Sequence, residues 1–134
     1  LEIELTEGAL IENVTCARAN LDRLTALGVG IAIDDFGTGY SSLAYLASFP
    51  IDRLKIDHSF VARMGDDPKS LEIVHTIISL AQTLGTQVVA EGAETAEQVA
   101  RLKIWKCQYG QGFYFSTPLP PDAAAEFLAA DRRW

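Results

Sequence analysis

Two adjacent aspartates, Asp34 and Asp35, follow the apolar residues 31–33 and precede a loop that contains Gly37 and Gly39. Neighbouring carboxylates repel each other, and both lose hydration where a strand ends in a cleft. A divalent cation commonly offsets that cost. Successive strand residues point to opposite faces, so the two side chains cannot both face one site within a regular strand. The pair therefore predicts a metal site, together with a local bend that the glycines make easy.

Other polar side chains fall near the ends of the other predicted strands. Because ligands bind at the carboxyl ends of parallel strands, these residues are candidates for the same site. They are Glu4 within the first strand and Glu7 just past it, Lys55 and Asp57 at the end of the third, Glu91 and Glu94 after the fourth, and Gln111 at the start of the fifth. Carboxylates without histidine or cysteine favour Mg²⁺, Mn²⁺ or Ca²⁺ over Zn²⁺. Several of them together make two metal ions plausible, an arrangement that activates water for phosphoester cleavage.

Lys55 ends an apolar strand and has two interpretations. It either reaches solvent and neutralises carboxylates, or it lies beside the metals and orients or polarises the attacking water. These roles overlap, and the sequence leaves both open.

Strand-like and helix-like segments alternate along the whole chain. We expect strands at residues 1–5, 29–33, 53–56, 87–90 and 112–116. Helices are expected after Asn13, over residues 41–47, from Asp67-Pro68 to Gly85, after a capping box formed by Thr95 and Gln98, and from Asp122. This alternation predicts an α/β fold with a parallel sheet. A doubly wound sheet and part of a (β/α)8 barrel remain alternatives.

Composition narrows the possible partners and compartment. The 134 residues fit one domain, and the net charge of −7 argues against a nucleic-acid duplex as partner. Cys16 and Cys107 form no paired-cysteine motif, which favours reduced thiols in the cytoplasm. No apolar run is long enough to span a bilayer, so we expect no membrane contact by this segment. The chain opens at Leu1 inside a predicted strand, which suggests a piece of a longer protein.

Five segments resemble the motifs of EAL domains, which are cyclic di-GMP phosphodiesterases. They are ELTE at 4–7, DDFGTGYSSL at 34–43, LKIDHSFV at 54–61, VAEGAET at 89–95 and QGFYFS at 111–116. The resemblance covers essentially the whole chain in the correct order. It implies a TIM-like (β/α)8 barrel, of which residues 1–134 would be the C-terminal part with about five βα units. The Glu-Ala-Leu signature and an asparagine ligand would then lie before Leu1.

The resemblance also implies roles for the candidate residues. Glu4 and Asp34 match metal ligands, with Asp34 bridging two Mg²⁺ or Mn²⁺ ions. Asp35 and Glu91 match groups at the second metal and its water, and Lys55 matches the lysine that helps to activate that water. The supporting or substrate-binding set is Glu7, which anchors the loop after the aspartate pair, with Asp57, Glu94 and Gln111.

The implied reaction is hydrolysis of cyclic di-GMP to linear pGpG in bacterial signalling. The alternative is a degenerate, non-catalytic EAL domain that binds cyclic di-GMP or a protein. We expect a cytoplasmic domain, a homodimer formed through the barrel, and no activity from this piece alone.

Overall fold

The computed structural model describes residues 1–11, 14–39 and 46–130. The strands are β1 (Glu2–Thr6), β2 (Gly30–Phe36), β3 (Arg53–Ile56), β4 (Gln87–Glu91) and β5 (Tyr109–Gln111). The helices are α1 (Glu7–Ile11), α2 (Val14–Ala26), α3 (His58–Arg63), α4 (Pro68–Leu84), α5 (Ala96–Ile104) and α6 (Pro121–Ala129). The expected α/β class is confirmed.

All four strand pairings are parallel, and the sheet order is β1-β2-β3-β4-β5. Each strand therefore joins the sheet beside its predecessor in the chain. A doubly wound sheet instead reverses direction at a switch point, whereas a barrel adds strands in sequence. The sequence left open a doubly wound sheet and part of a barrel. The observed strand order favours part of a barrel.

The two faces of the sheet differ in polarity because side chains alternate along each strand. One face carries fully buried apolar side chains, including Ile31, Ile33, Leu54 and Ile56. These pack with apolar residues of the helices into a single core. The opposite face carries charged and polar residues in aligned positions, and at the carboxyl ends of the strands these form the candidate site.

Local helix signals in the sequence are confirmed. Asp67 caps α4 by accepting hydrogen bonds from the backbone N–H groups of Lys69 and Ser70, and Gly85 ends the helix in a left-handed conformation at φ 71°. Thr95 and Gln98 form the expected capping box of α5. Asn13 and most of the helix expected over residues 41–47 lie outside the described residues.

Two expectations about elements were wrong. The fifth strand comprises Tyr109–Gln111, not residues 112–116, because the chain turns at Gly112. The N–H groups of Phe115 and Ser116 both donate to Gly112 O, which closes a turn. Gln111 therefore ends the fifth strand instead of starting it. The short helix α1, directly after β1, was not expected from the sequence.

Among the described helices, none is both long enough and apolar enough to cross a membrane.

Candidate active site

Four neighbouring strands bring one lysine and three carboxylates into contact. Lys55 Nζ on β3 lies 2.9 Å from Glu4 Oε1 on β1, 3.0 Å from Asp34 Oδ1 on β2 and 2.8 Å from Glu91 Oε1 on β4. The register explains the convergence, since Glu4 lies on the same face as Thr6, which pairs with Asp34. We call Lys55 and these three acidic residues the Lys55 cluster.

Lys55 is buried, and its charge is maintained by its neighbours. Burial lowers the pKa of the ammonium, but its interactions with the carboxylates of Glu91, Glu4 and Asp34 outweigh burial and hold this pKa above its ordinary value. The side chain is therefore a positive charge and a hydrogen-bond donor at neutral pH. It is unable to accept a proton from water.

A β-bulge separates the two neighbouring aspartates. Ile33 pairs with Leu54 and Phe36 with Ile56, so three steps along β2 match two along β3. Asp35 has a φ of 52°, in the left-handed region that residues other than glycine rarely adopt. Asp34 thus contacts Lys55 while Asp35 is exposed. The expected bend exists, and it lies within the strand, before the glycine loop.

Asp35 and Asp57 form a second carboxyl pair beside the cluster. Burial and the negative charges of Asp34 and Asp57 raise the pKa of Asp35. Burial also raises the pKa of Asp57, but hydrogen bonds from Ser59 outweigh it and hold that pKa below its ordinary value. Asp57 Oδ1 accepts from Ser59 N at 2.9 Å and so caps α3. Of the two carboxyl groups, Asp35 therefore binds a proton more readily than Asp57.

Glu7 is a buried carboxylate that holds the loop after the bulge. Its Oε2 accepts hydrogen bonds from Gly37 N at 3.2 Å and from Gly39 N at 3.3 Å. A Cβ atom at Gly39 would lie 2.9 Å from Glu7 Cδ, so a larger residue there would displace the Glu7 carboxylate. The first residue of α1 therefore fixes the backbone that follows Asp34 and Asp35.

Glu94 and Gln111 lie at the same edge of the sheet, but the structure does not place them in contact with Lys55. Gln111 is in register with Glu91, and both Gln111 and Glu94 are exposed. The Glu94 N–H donates to Gln98 Oε1 at 2.8 Å. Sequence patterns identified Gln98 only as part of a helix cap and did not indicate its longer-range contacts.

The donor set of the Lys55 cluster is chemically suited to a divalent cation. Asp34 Oδ1 is shielded from solvent and has no hydrogen-bond partner of acceptable geometry among the described residues, although Lys55 Nζ lies 3.0 Å away. Carboxylate oxygens are the ligands that Mg²⁺ and Mn²⁺ prefer. Among the described residues, no three acidic, histidine or cysteine side chains are arranged to hold a metal ion as they stand. The Lys55 ammonium instead lies between the three carboxylates.

Comparison with known proteins gives consistent matches. The EAL domain family model matches residues 1–118. The cyclic di-GMP phosphodiesterase NbdA of Pseudomonas aeruginosa is 50% identical over 132 residues, which are 98% of this chain and 17% of that protein.

Two solved structures extend the comparison to the fold. The EAL domain of Mycobacterium smegmatis DcpA has a TM-score of 0.89 and 43% identity, with 98% of this chain and 59% of that chain covered. Klebsiella pneumoniae BlrP1, in complex with manganese and cyclic di-GMP, has a TM-score of 0.79 and 38% identity, with 87% and 30% covered. The chain thus spans less than two thirds of each protein compared. The likeness confirms the expected TIM-like barrel architecture, of which the described strands form a five-stranded part.

Proposed function

The chain belongs to the EAL domain family, and we propose that the protein carrying it hydrolyses cyclic di-GMP to linear pGpG. The observation that carries the proposal is the Lys55 cluster, in which three strands present carboxylates to one ammonium at the ligand-binding edge of the sheet. The name of NbdA and the ligands of the BlrP1 complex support the same substrate. Because the chain spans only part of these relatives, the activity is proposed for the full-length protein.

The reaction adds one water molecule across one phosphodiester bond. The water oxygen forms a bond to phosphorus, and the bond from phosphorus to the ribose O3′ breaks. One proton of the water is released, and the leaving O3′ gains a proton. The product has a 5′-phosphate and a 3′-hydroxyl, as pGpG requires.

Four carboxylates of this chain would hold two Mg²⁺ or Mn²⁺ ions. Glu4 and Asp34 would be ligands of one ion, and Asp34, Asp35 and Glu91 would serve the second ion and its water. When bound, such ions lower the pKa of a coordinated water and offset the negative charge that develops on the phosphate. Asp35 and Glu91 are the proposed acceptors for the proton that the water releases.

Lys55 contributes charge and orientation. Its pKa is held above the ordinary value, so its ammonium is charged at neutral pH and donates hydrogen bonds. A fixed positive charge in a partly buried site stabilises negative charge on the phosphate and on the attacking oxygen. The same ammonium holds Glu4, Asp34 and Glu91 at fixed distances before any ligand binds.

The remaining candidates have supporting roles in this proposal. Glu7 fixes the loop after the bulge, and Asp57 caps α3 beside Asp35. Glu94 and Gln111, at the same edge of the sheet, are available to contact substrate or water. We also propose that the domain acts in the cytoplasm and forms a homodimer through the barrel.

The proposal is tested by Asp34→Ala in the full-length protein. We expect wild-type protein to form pGpG from cyclic di-GMP with Mg²⁺ or Mn²⁺, and the variant to lose this activity. Asp66→Ala, at an exposed position between α3 and α4, is the matched control and should retain activity. Appreciable turnover by Asp34→Ala would contradict the metal role. Binding of cyclic di-GMP without turnover by wild-type protein would favour the non-catalytic alternative.

A further inference from the structure

Gln98 is a polar side chain in the interior, with 7% of its surface exposed. Its Oε1 accepts hydrogen bonds from Glu94 N at 2.8 Å and from Thr95 N at 3.0 Å. Its Nε2 donates to Val61 O at 3.1 Å and to Ala62 O at 3.4 Å. A glutamine amide has two donor hydrogens and two acceptor lone pairs, so all four are used.

Helix capping explains only part of this arrangement. In a capping box the side chain at the third helical position accepts one bond, from the N–H of the cap residue, here Thr95. The bond from Glu94 N and both bonds to α3 are additional. The bonds to α3 join residues that are 36 and 37 positions apart, and the acceptors are carbonyls in the last turn of that helix. Gln98 thus hydrogen-bonds to backbone groups at the ends of two different helices.

These two helices are attached directly to residues of the candidate site. Helix α3 begins after Asp57, two residues beyond Lys55 on β3. Helix α5 follows Glu91 of β4 through the turn at residues 92–95, which carries Glu94. Lys55 and Glu91 are themselves in contact at 2.8 Å. A displacement of the turn relative to α3 would therefore change that distance or the position of Glu94.

Other contacts hold this turn from its remaining sides. Ala93 N donates to Gln111 O at 3.0 Å, and Ala93 O accepts from Tyr114 N at 3.0 Å, which ties the turn to β5. A Cβ atom at Gly92 would lie 2.8 Å from His58 Cβ, so the turn also approaches the start of α3 closely. Gln98 provides the hydrogen bonds on that side.

We propose that Gln98 is a positioning residue for the hydrolysis, which braces the turn carrying Glu94 and the end of β4 carrying Glu91 against α3. This inference rests on the proposed function. The brace acts through the backbone, and Gln98 itself does not touch the Lys55 cluster. Loss of the brace should reduce kcat more than it changes KM, because Glu91 loses its alignment within the Lys55 cluster.

The test compares three variants of the full-length protein. Gln98→Glu keeps an acceptor for Glu94 N and Thr95 N but loses both donors to α3. Gln98→Met removes all four hydrogen bonds with a side chain of similar length, and it serves as the second variant if a buried carboxylate prevents folding. Thr95→Ala is the matched control, since it removes the hydroxyl that accepts from Gln98 N at 3.2 Å and leaves the contacts to α3 in place.

We expect all three variants to lose thermal stability. In Gln98→Glu and Gln98→Met, kcat for cyclic di-GMP should fall by about ten- to a hundredfold with little change in KM, the size of effect that a misplacement near 1 Å produces. Thr95→Ala should keep kcat close to that of wild-type protein. Hydrogen exchange in residues 92–95 should become faster in both Gln98 variants, and this measurement does not depend on turnover.

Two results would overturn the inference. One is an equal kcat for the Gln98 variants and Thr95→Ala at similar melting temperature, and the other is unchanged exchange in residues 92–95. Absence of turnover in wild-type protein would instead refute the proposed function, and the exchange data would still decide whether Gln98 braces the turn.

Discussion

Replacement of Lys55 by methionine should destabilise the metal-free protein and increase its stabilisation by Mn²⁺. The ammonium is the cation that lies between Glu4, Asp34 and Glu91. Without it, three carboxylates that remain close together repel each other and lose hydrogen bonds. The same carboxylates no longer share their oxygens with an ammonium, so a divalent ion gains access to them.

The size of the effect follows from the burial of each partner. The side chain of Lys55 is 11% exposed, and those of Glu91, Asp34 and Glu4 are 17%, 27% and 49% exposed. Breaking a fully buried ion pair costs about 3–5 kcal/mol, whereas an exposed pair contributes about 0–1 kcal/mol. Glu4 therefore adds little, and Glu91 dominates. We expect a loss of about 2–4 kcal/mol in the free energy of unfolding.

The pH range of the measurement follows from the lysine. Its pKa is raised in the folded state, so its contribution is fully present below the unfolded pKa near 10.5 and is lost as pH rises towards the folded value. At pH 7 the contribution is complete. The difference between wild-type protein and Lys55→Met should therefore be constant around neutral pH and decrease only in strongly alkaline solution.

Thermal unfolding of the full-length protein at pH 7 measures the loss. In the presence of EDTA, Lys55→Met should melt roughly 5–15 °C below wild-type protein. This range assumes that the melting temperature falls by about 2–4 °C for each kcal/mol lost, as in domains of about 150–250 residues. Addition of Mn²⁺ should raise the melting temperature of the variant more than that of wild-type protein, and the variant should fail to hydrolyse cyclic di-GMP because it lacks the Lys55 charge. Lys103→Met, at an exposed position of α5, removes the same charge and should change neither value. Equal melting temperatures in EDTA, or equal shifts with Mn²⁺, would refute the argument.

Two further substitutions probe the loop anchor and a helix cap. Glu7→Gln can still present one oxygen to Gly37 N and Gly39 N, but it replaces two charge-assisted hydrogen bonds by neutral ones. It should lose about 1–2 kcal/mol of local stability, seen as faster hydrogen exchange in residues 37–39; unchanged exchange would argue against the anchor. Hydrogen bonds from Ser70 and Lys69 lower the pKa of Asp67, so its stabilisation of α4 is present above the ordinary pKa of 3.8 and is lost as pH falls through the folded value. Asp67→Ala should therefore lower the melting temperature at pH 7, and the difference from wild-type protein should narrow below pH 3.8. An equal difference in melting temperature at pH 7 and pH 3 would contradict the role of Asp67 as a charged helix cap.

Elements that depend on local signals were predicted well from the sequence. The Asp67-Pro68 start of α4, its end at Gly85 and the capping box at Thr95 are all present in the structure. Each is determined by hydrogen bonds within a few residues, so the sequence contains the whole interaction. The parallel sheet followed from the same alternation, but only the observed strand order separated a barrel from a doubly wound sheet.

Elements that depend on distant contacts were predicted poorly. Residues 113–116 have the apolar composition of a strand, yet the chain turns at Gly112, where a Cβ atom would clash with the backbone of Ala93. That contact joins two turns that are far apart in sequence. The brace formed by Gln98 is also a contact between residues far apart in sequence, because its partners in α3 lie 36 and 37 residues away.

The convergence of Glu4, Asp34, Lys55 and Glu91 could be predicted because parallel strands carry their ends to one edge. The sequence could not predict which of the side chains at that edge contact one another. Glu94 and Gln111 share the edge but are not in contact with Lys55, and Asp57 interacts with Asp35 and the start of α3. Strand position gives the region of a side chain, whereas burial and side-chain length determine which neighbour it reaches.

The bulge at Asp35 shows how the fold resolves the electrostatic conflict between consecutive aspartates. A left-handed backbone conformation costs a residue other than glycine about 1–2 kcal/mol. Glycine would remove this strain but would also remove a carboxylate. The strained conformation allows Asp34 to contact the Lys55 ammonium while Asp35 faces Asp57, and burial together with the charges of Asp34 and Asp57 raises the pKa of Asp35. One chain segment thus presents two carboxylates in different electrostatic environments, which a regular strand would direct to opposite faces of the sheet.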